Sequence, residues 1–213
     1  ITDPAIAASI DQYFIKNRNN HELYGYLLNE LTQFFIKANK SPTAAFIHLY
    51  RSVEFISYCM PMVYSILTKD FKKSYNSIKS FLLDKDAGQL SFFKTFLFTL
   101  MRGNAFIHSF TFEYAFQGNE RANIETEFTR LLQETRIAVD IDQGVAKLHF
   151  SDILTFFVAV RNRYFHFSIG SDQENITAFD FDIEDFFRPL NSILINWLSV
   201  ILSLIITNSY SHL

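Results

Sequence analysis

The chain has 213 residues, of which 49% are hydrophobic and 19% are charged, with only six Gly and four Pro. This composition excludes an intrinsically disordered chain and is sufficient for a large core, in which 25 Phe and ten Tyr supply most of the volume. The formal net charge of −3 excludes nucleic-acid binding through overall charge, so a nucleic-acid partner requires a local basic patch.

Cysteine use and the N-terminus suggest where the protein works. Cys59 is the only cysteine, which excludes an intrachain disulfide and a cysteine cluster for a metal. We therefore expect a reducing, cytoplasmic location and a buried, unreactive thiol in the apolar run FISYCMPMV. The first residues, ITDPAIAASI, lack the pattern of a signal peptide. Because the sequence begins with Ile1, we expect it to be a fragment or a processed product of a longer protein.

The first two thirds of the chain is predicted to be helical, since apolar residues recur at spacings of three and four. Pro42 behind Ser41 favours the start of a helix, and Pro61 predicts a kink or a break within that helix. Gly88 and Gly103 predict helix ends or turns. The helices predicted here are 4–17, 21–39, 43–67, 71–83, 89–102 and 120–137.

The pattern changes between residues 137 and 150. The segment IAVDIDQGVAKLHF alternates apolar and polar residues on either side of Gln143-Gly144, a pair that favours a tight turn. This predicts a short β-hairpin. Ser151 and Asp152 then offer a cap for a helix at 152–167. A short helix at 182–187 follows, and then a final helix with Pro189 near its start. We predict a single all-α domain over 1–213, a helical bundle with extra N-terminal helices and the hairpin near 137–150 as an insertion.

The final helix is a candidate for membrane insertion. Residues from Pro189 to Tyr210 carry no charge and are numerous enough to cross a bilayer. However, polar residues recur along one side of this helix, and no cluster of Lys or Arg flanks it. We therefore expect a buried or interface helix without stable membrane insertion, and a membrane-associated protein is the alternative. The polar stripe comprises Ser192, Asn196, Ser199 and Ser203.

The helix predicted at 152–167 carries the segment VAVRNRYFHFSIG, in which charged and polar residues lie among aromatic ones. At about 100° per residue, Asn162 and His166 lie one turn apart and opposite the predicted core face. Arg161 lies at the border between the two faces. The residues that share the outer face are small, namely Thr155, Val158 and Ala159. This pattern predicts close contact with another helix, ending in polar groups. The predicted core face comprises Ile153, Phe156, Phe157, Val160, Tyr164 and Phe167.

Arg161 and Asn162, followed after three residues by His166, resemble the motif of the HEPN superfamily: Arg, four to six residues, then His, often with a polar residue directly after the Arg. The resemblance covers the motif helix closely and the helical layout loosely. It implies a bundle of four or more helices that dimerises so that two motifs face each other. A second match runs from Arg102 to His108, but Gly103 interrupts the helix there and no polar residue directly follows the Arg.

The resemblance implies a metal-independent endoribonuclease of the kind found in toxin–antitoxin and phage-defence systems, with no cofactor. Its catalytic residues would be Arg161, Asn162 and His166, and its products a 2′,3′-cyclic phosphate and a 5′-hydroxyl. Its partners would be RNA, a second copy of the chain, and an antitoxin or other regulator. Two alternatives stay open. In the first, His166 is a polar residue that caps the end of its helix. In the second, the chain is a non-catalytic dimerisation or partner-binding module that keeps the HEPN fold.

Other charged residues are candidates for supporting roles. Arg51 and Glu54 predict an ion pair within an apolar helix, or support for His166. Arg163 is either a solvated cation or a second supporting group. We find no His, Asp or Glu spacing typical of a metal site. The basic cluster Lys69, Lys72, Lys73 and Lys79 predicts a solvated face or a contact with RNA.

Overall fold

The computed structural model describes residues 4–68, 70–83, 90, 93–94, 97, 109–165, 175–177 and 180–208. It is mainly helical with one small sheet, which confirms the predicted all-α class with a short hairpin. Most of the predicted helix 89–102 lies outside the described residues. The helices are α1 Pro4–Lys16, α2 His21–Lys37, α3 Pro42–Thr68, α4 Phe71–Leu83, α5 Arg121–Glu134, α6 Ile153–Phe165 and α7 Ile183–Asn208, and the strands are β1 Thr111–Ala115, β2 Ile141–Asp142 and β3 Val145–His149.

Helix α3 begins where the Ser41-Pro42 pair predicts a start, and the Ser41 carbonyl accepts the Ala45 N–H at 3.0 Å. Pro61 does not break the helix. Proline removes one backbone hydrogen bond, but Met60 and Tyr64 on either side of it are buried. Burial of these large side chains offsets the missing bond and keeps the two halves of α3 in one helix.

The predicted hairpin is confirmed, and its turn lies at Gln143 and Gly144, whose φ values of 48° and 78° fit the turn expected from this pair. The positive φ at Gly144 favours glycine, and a side chain there would also displace the guanidinium of Arg121. The structure adds a strand that was not predicted, β1, which pairs antiparallel with β3 from Thr111 opposite His149. Phe112, Tyr114 and Phe116 recur at alternate positions in the sequence, a strand signal that our prediction missed.

The prediction of two C-terminal helices is wrong, because α7 runs unbroken through Pro189. Phe186, Phe187 and Leu190 flank the proline and are fully buried, so packing on both sides holds the helix axis where local sequence predicts an interruption. Among the described residues, Ile183–Ile206 is long and apolar enough to cross a membrane by length and composition. The predicted polar stripe at Ser192, Asn196, Ser199 and Ser203 is exposed.

The chain divides into two compact units. The first comprises 1–32, 51–103 and 198–213, and the second comprises 33–50 and 104–197. Helices α2, α3 and α7 contribute residues to both units. The single domain over 1–213 therefore stays a prediction. In the second unit, the ring of Phe46 lies 4.9 Å from that of Phe157 and 4.7 Å from that of Phe187, measured between centroids.

Cys59 lies in the first unit and is half-buried. Its thiol contacts the Phe55 carbonyl oxygen at 3.6 Å, one turn earlier in α3. Burial raises the pKa of the Cys59 thiol, which lowers the fraction of reactive thiolate at neutral pH.

Candidate active site

Helix α6 is anchored at its N-terminal end. The Asp152 carbonyl accepts the Phe156 N–H at 2.9 Å and so closes the first turn. The indole N–H of Trp197 donates to the Phe150 carbonyl at 3.2 Å, just before the helix begins. These contacts, together with the packing of Phe157 on Phe46, determine which side of α6 faces the core.

The predicted core face of α6 is confirmed where the structure describes it. Tyr164 is half-buried, and its ring meets the ring of Phe187 at 5.0 Å. Phe167 lies outside the described residues. On the opposite face Asn162 is exposed, as its helical phase predicts. The small residues Thr155, Val158 and Ala159 are half-buried. The buried core positions are Ile153, Phe156, Phe157 and Val160.

The side chain of Arg161 is held by two contacts within the second unit. Its guanidinium lies 4.9 Å from the centroid of the Tyr50 ring, and Nη1 donates to Oδ1 of Asn162 at 3.0 Å. Tyr50 is only 8% exposed and packs edge-on against Phe157 at 5.4 Å. The cation therefore rests on a ring that is itself fixed in the core. A guanidinium has five N–H donors, so these contacts leave donors with which to bind a phosphate.

Sequence reasoning missed the role of Tyr50. Tyr50 belongs to α3 and Arg161 to α6, more than a hundred positions apart in the chain. The only local signal is the placement of Tyr50 next to Arg51, in a stretch that otherwise follows the apolar pattern of a packed helix. Their contact depends on how α3 and α6 pack, which no local pattern predicts.

Arg163 is not a solvated cation. It is 5% exposed, and its guanidinium forms an ion pair with the carboxylate of Glu134 in α5. Its backbone carbonyl accepts the Ile176 N–H at 3.2 Å. A buried arginine requires a charged partner, and Glu134 meets that need 29 residues earlier in the chain. In this structure Arg163 joins α6 to α5.

Several predicted site residues lie outside the described part of the chain. His166 follows the last described residue of α6, Phe165. Lys69, Arg102 and His108 also lie outside it. Of the three residues predicted to be catalytic, the structure therefore brings together Arg161 and Asn162.

The predicted ion pair between Arg51 and Glu54 is wrong. The Arg51 guanidinium lies 3.4 Å from the carboxylate of Glu30 in α2, and the Glu30 side chain is buried. A buried carboxylate has the greater need of a counter-charge, and Arg51 reaches it from a more exposed position. Arg51 and Glu54 belong to the first unit and α6 to the second, so their support of His166 stays a prediction.

The remaining lysines of the basic cluster are solvated. Lys72, Lys73 and Lys79 are exposed on α4, and Nζ of Lys79 lies 5.9 Å from the centroid of the Tyr75 ring.

Within the ranges that the structure describes, no group of three or more His, Cys, Asp and Glu side chains is arranged to hold a metal ion. Comparison of the chain with protein-family models, curated proteins and solved structures finds no match.

Proposed function

We propose that the chain is a HEPN-type, metal-independent endoribonuclease whose composite site forms between two copies of the chain. One observation carries the proposal. Arg161 and Asn162 are joined on the outer side of α6, with the guanidinium supported by a core tyrosine, and His166 follows in the sequence. The pair supplies a fixed positive charge and a hydrogen-bonding amide, and the sequence adds a histidine, a residue type that titrates near neutral pH.

The proposed reaction is a transfer within the RNA backbone. His166 of one subunit takes the proton of the ribose 2′-hydroxyl, and the 2′-oxygen attacks the adjacent phosphorus. The bond from phosphorus to the 5′-oxygen breaks, and the second His166 returns a proton to that oxygen. Arg161 binds the phosphate oxygens as charge develops, and Asn162 orients the guanidinium or the phosphate. The products are a 2′,3′-cyclic phosphate and a 5′-hydroxyl.

The outer face of α6 supports the proposed homodimer. Thr155, Val158 and Ala159 are small and leave room for a second helix to approach closely. We assign the protein to toxin–antitoxin or antiviral defence, with an antitoxin or other regulator restraining it in the cytoplasm. We expect no stable membrane insertion, because the N-terminal half of α7 packs into the second unit through Phe186, Leu190 and Leu194.

Cleavage of RNA in the presence of EDTA tests this proposal. His166→Ala and Arg161→Ala should each lower the rate by about a hundredfold or more, since they remove the proton-transferring group and the phosphate-binding cation. His149→Ala is the matched control, because His149 is an exposed histidine on β3, outside the proposed site. The control should cleave at the parent rate.

The same assay tests the composite site. If two subunits form the site, activity per protomer should fall when the protein is diluted below the dissociation constant of the dimer. Equal cleavage by the parent and His166→Ala would contradict the proposed catalytic role of His166. Activity that is independent of dilution in a protein shown to be monomeric would contradict the interface site.

A non-catalytic module for dimerisation or partner binding is the second candidate function. The contacts of two arginines favour this candidate. Arg161 rests on Tyr50 and Arg163 is paired with Glu134, so both cations already have partners within the chain. For such a module, Arg161→Ala should change association or the free energy of unfolding, and no RNA product should form with any variant. Sedimentation and product analysis of the same samples separate the two functions.

A further inference from the structure

Helix α4 presents two aromatic rings to solvent. Phe71 is 83% exposed and Tyr75 is 64% exposed, one helical turn apart on the same side. Large aromatic side chains are usually buried, and a pair of exposed rings on one face marks a surface suited to binding. We call Phe71, Tyr75, Lys72 and Lys79 the α4 face.

By helical phase, Lys72 and Lys79 lie on the Tyr75 side of the α4 face. Lys72 and Lys79 are seven residues apart, close to two full turns, so their side chains leave the helix in nearly the same direction. Nζ of Lys79 lies 5.9 Å from the centroid of the Tyr75 ring. The helix is anchored at Ser74, which is buried, while Ile78, two turns after Phe71, is half-buried. The rings and the lysines are thus available together.

The positive charge of α4 favours an anionic partner. Its three lysines have no carboxylate within the helix, in a chain whose formal net charge is −3. Asp70, directly before the helix, is used as a cap, since its Oδ1 accepts the Lys73 N–H at 2.9 Å. This local excess of positive charge beside exposed rings is complementary to a polyanion that carries planar bases.

We propose that the α4 face binds single-stranded RNA, with bases stacked on Phe71 and Tyr75 and phosphates bound by Lys72 and Lys79. The choice of RNA rests on the proposed function. A duplex is a poorer ligand, because its bases are already stacked on one another. A membrane surface is also a poorer fit, since Ser74 and Ile78 use part of α4 for packing and leave only a narrow apolar strip.

Fluorescence anisotropy with a labelled, 2′-O-methylated oligouridine tests the inference in the full chain. The methyl groups remove the attacking hydroxyl, so binding is measured whether or not the protein cleaves RNA. Phe71→Ala and Tyr75→Ala should each raise Kd by about tenfold, as expected for loss of one stacked base. Phe35→Ala is the matched control, because Phe35 is 64% exposed on α2, and it should leave Kd unchanged.

The salt dependence of RNA binding tests the contribution of the two lysines. The double variant Lys72→Gln, Lys79→Gln should reduce the slope of log Kd against log salt concentration by about 1.4, from two phosphate contacts on a single strand. Lys147→Gln on β3, also exposed, is the control and should keep the parent slope. Unfolding midpoints in urea equal to that of the parent verify that the exposed substitutions leave the fold intact.

Three outcomes would overturn the inference: Kd values unchanged by Phe71→Ala and Tyr75→Ala, a duplex bound as tightly as the single strand, or binding to phosphatidylserine vesicles without binding to RNA. Failure of the proposed function looks different. If the parent binds the oligouridine through the α4 face but never cleaves RNA, the α4 inference stands and the proposed nuclease is wrong. If the parent cleaves RNA and the Phe71→Ala and Tyr75→Ala variants bind with the parent Kd, the α4 inference is wrong and the proposed nuclease stands.

Discussion

Arg161 illustrates how a single cation is positioned by a core residue. Its guanidinium rests on Tyr50 at 4.9 Å and is joined to Asn162 at 3.0 Å. A flexible arginine loses side-chain entropy when it binds a phosphate, and prior contacts reduce that loss. We therefore regard Tyr50 as a positioning residue for Arg161.

Two substitutions of Tyr50 distinguish the effect of its aromatic ring on Arg161 from an effect on folding. Tyr50→Leu should lower kcat/KM for RNA cleavage by about tenfold, because a partly desolvated cation–π contact is lost. Tyr50→Phe keeps the ring and should stay within about threefold of the parent. Steady-state kinetics on both variants, with thermal unfolding to verify the fold, make the comparison. Equal kcat/KM for the Leu and Phe variants would exclude the positioning role.

Whether the environment of a residue can be predicted from the sequence depends on whether its deciding contact lies on its own helix or on another one. The exposure of Asn162 and the burial of Phe157 follow from helical phase alone, and the structure confirms both. The burial of Arg163 does not follow, because its partner Glu134 belongs to another helix. Arg51 was assigned the wrong partner for the same reason, since Glu30 of α2 reaches it and Glu54 of its own helix does not.

At the scale of elements, turn chemistry and helix starts were predictable. Gln143-Gly144 and Ser41-Pro42 act through the backbone of adjacent residues, so their effects depend little on the rest of the protein. The two helix-interior prolines were less informative. Pro189 was expected to start a helix but lies inside α7, because buried residues on both sides of it hold one axis.

The start of α3 also has a cap that local sequence does not reveal. The carboxylate of Glu184, in the first turn of α7, accepts the Thr43 N–H at 2.9 Å and the Ser41 hydroxyl at 3.3 Å. A negative charge at the N-terminus of a helix is favourable because it faces the positive end of the helix dipole. Glu184 therefore connects the beginnings of α3 and α7 within the second unit.

Removal of this cap should destabilise the protein measurably. Glu184→Ala leaves the Thr43 N–H of α3 without its acceptor and should lower the free energy of unfolding by about 1 kcal/mol. Glu184→Gln keeps one carbonyl oxygen at the same reach and should lose less. Urea unfolding of the two variants and the parent measures both effects. An Ala variant as stable as the parent would show that water or Ser41 caps α3 equally well.

At the scale of the whole molecule, stability couples to pH through Tyr114. This residue of β1 is buried and donates to the Phe186 carbonyl of α7 at 2.8 Å. Burial raises the pKa of the Tyr114 hydroxyl above its ordinary value of 10.0, and the nearby Asp185 carboxylate adds to the rise. The unfolded chain therefore loses this proton at a lower pH than the folded protein does.

The parent should lose stability above about pH 10, where the unfolded state ionises Tyr114 and the folded state keeps it neutral. The loss from this residue approaches about 1.4 kcal/mol for each pH unit, and below pH 10 its contribution is intact. Tyr114→Phe should be less stable than the parent by about 1 kcal/mol at neutral pH, and the difference should shrink at high pH. Parallel stability curves for the two proteins, from urea unfolding across this range, would contradict the coupling.

The sequence by itself determined the helical class, the position of the hairpin, the start of α3 and the outward phase of Asn162. Each of these depends on periodicity or turn chemistry, which act over a few neighbouring residues. Only the tertiary structure decided that Tyr50 supports Arg161, that Glu134 neutralises Arg163, that Glu184 caps α3, and that α7 continues through Pro189. In each of these cases the interacting groups lie on different elements. Their energies depend on burial and on distances that exist only once the elements have packed.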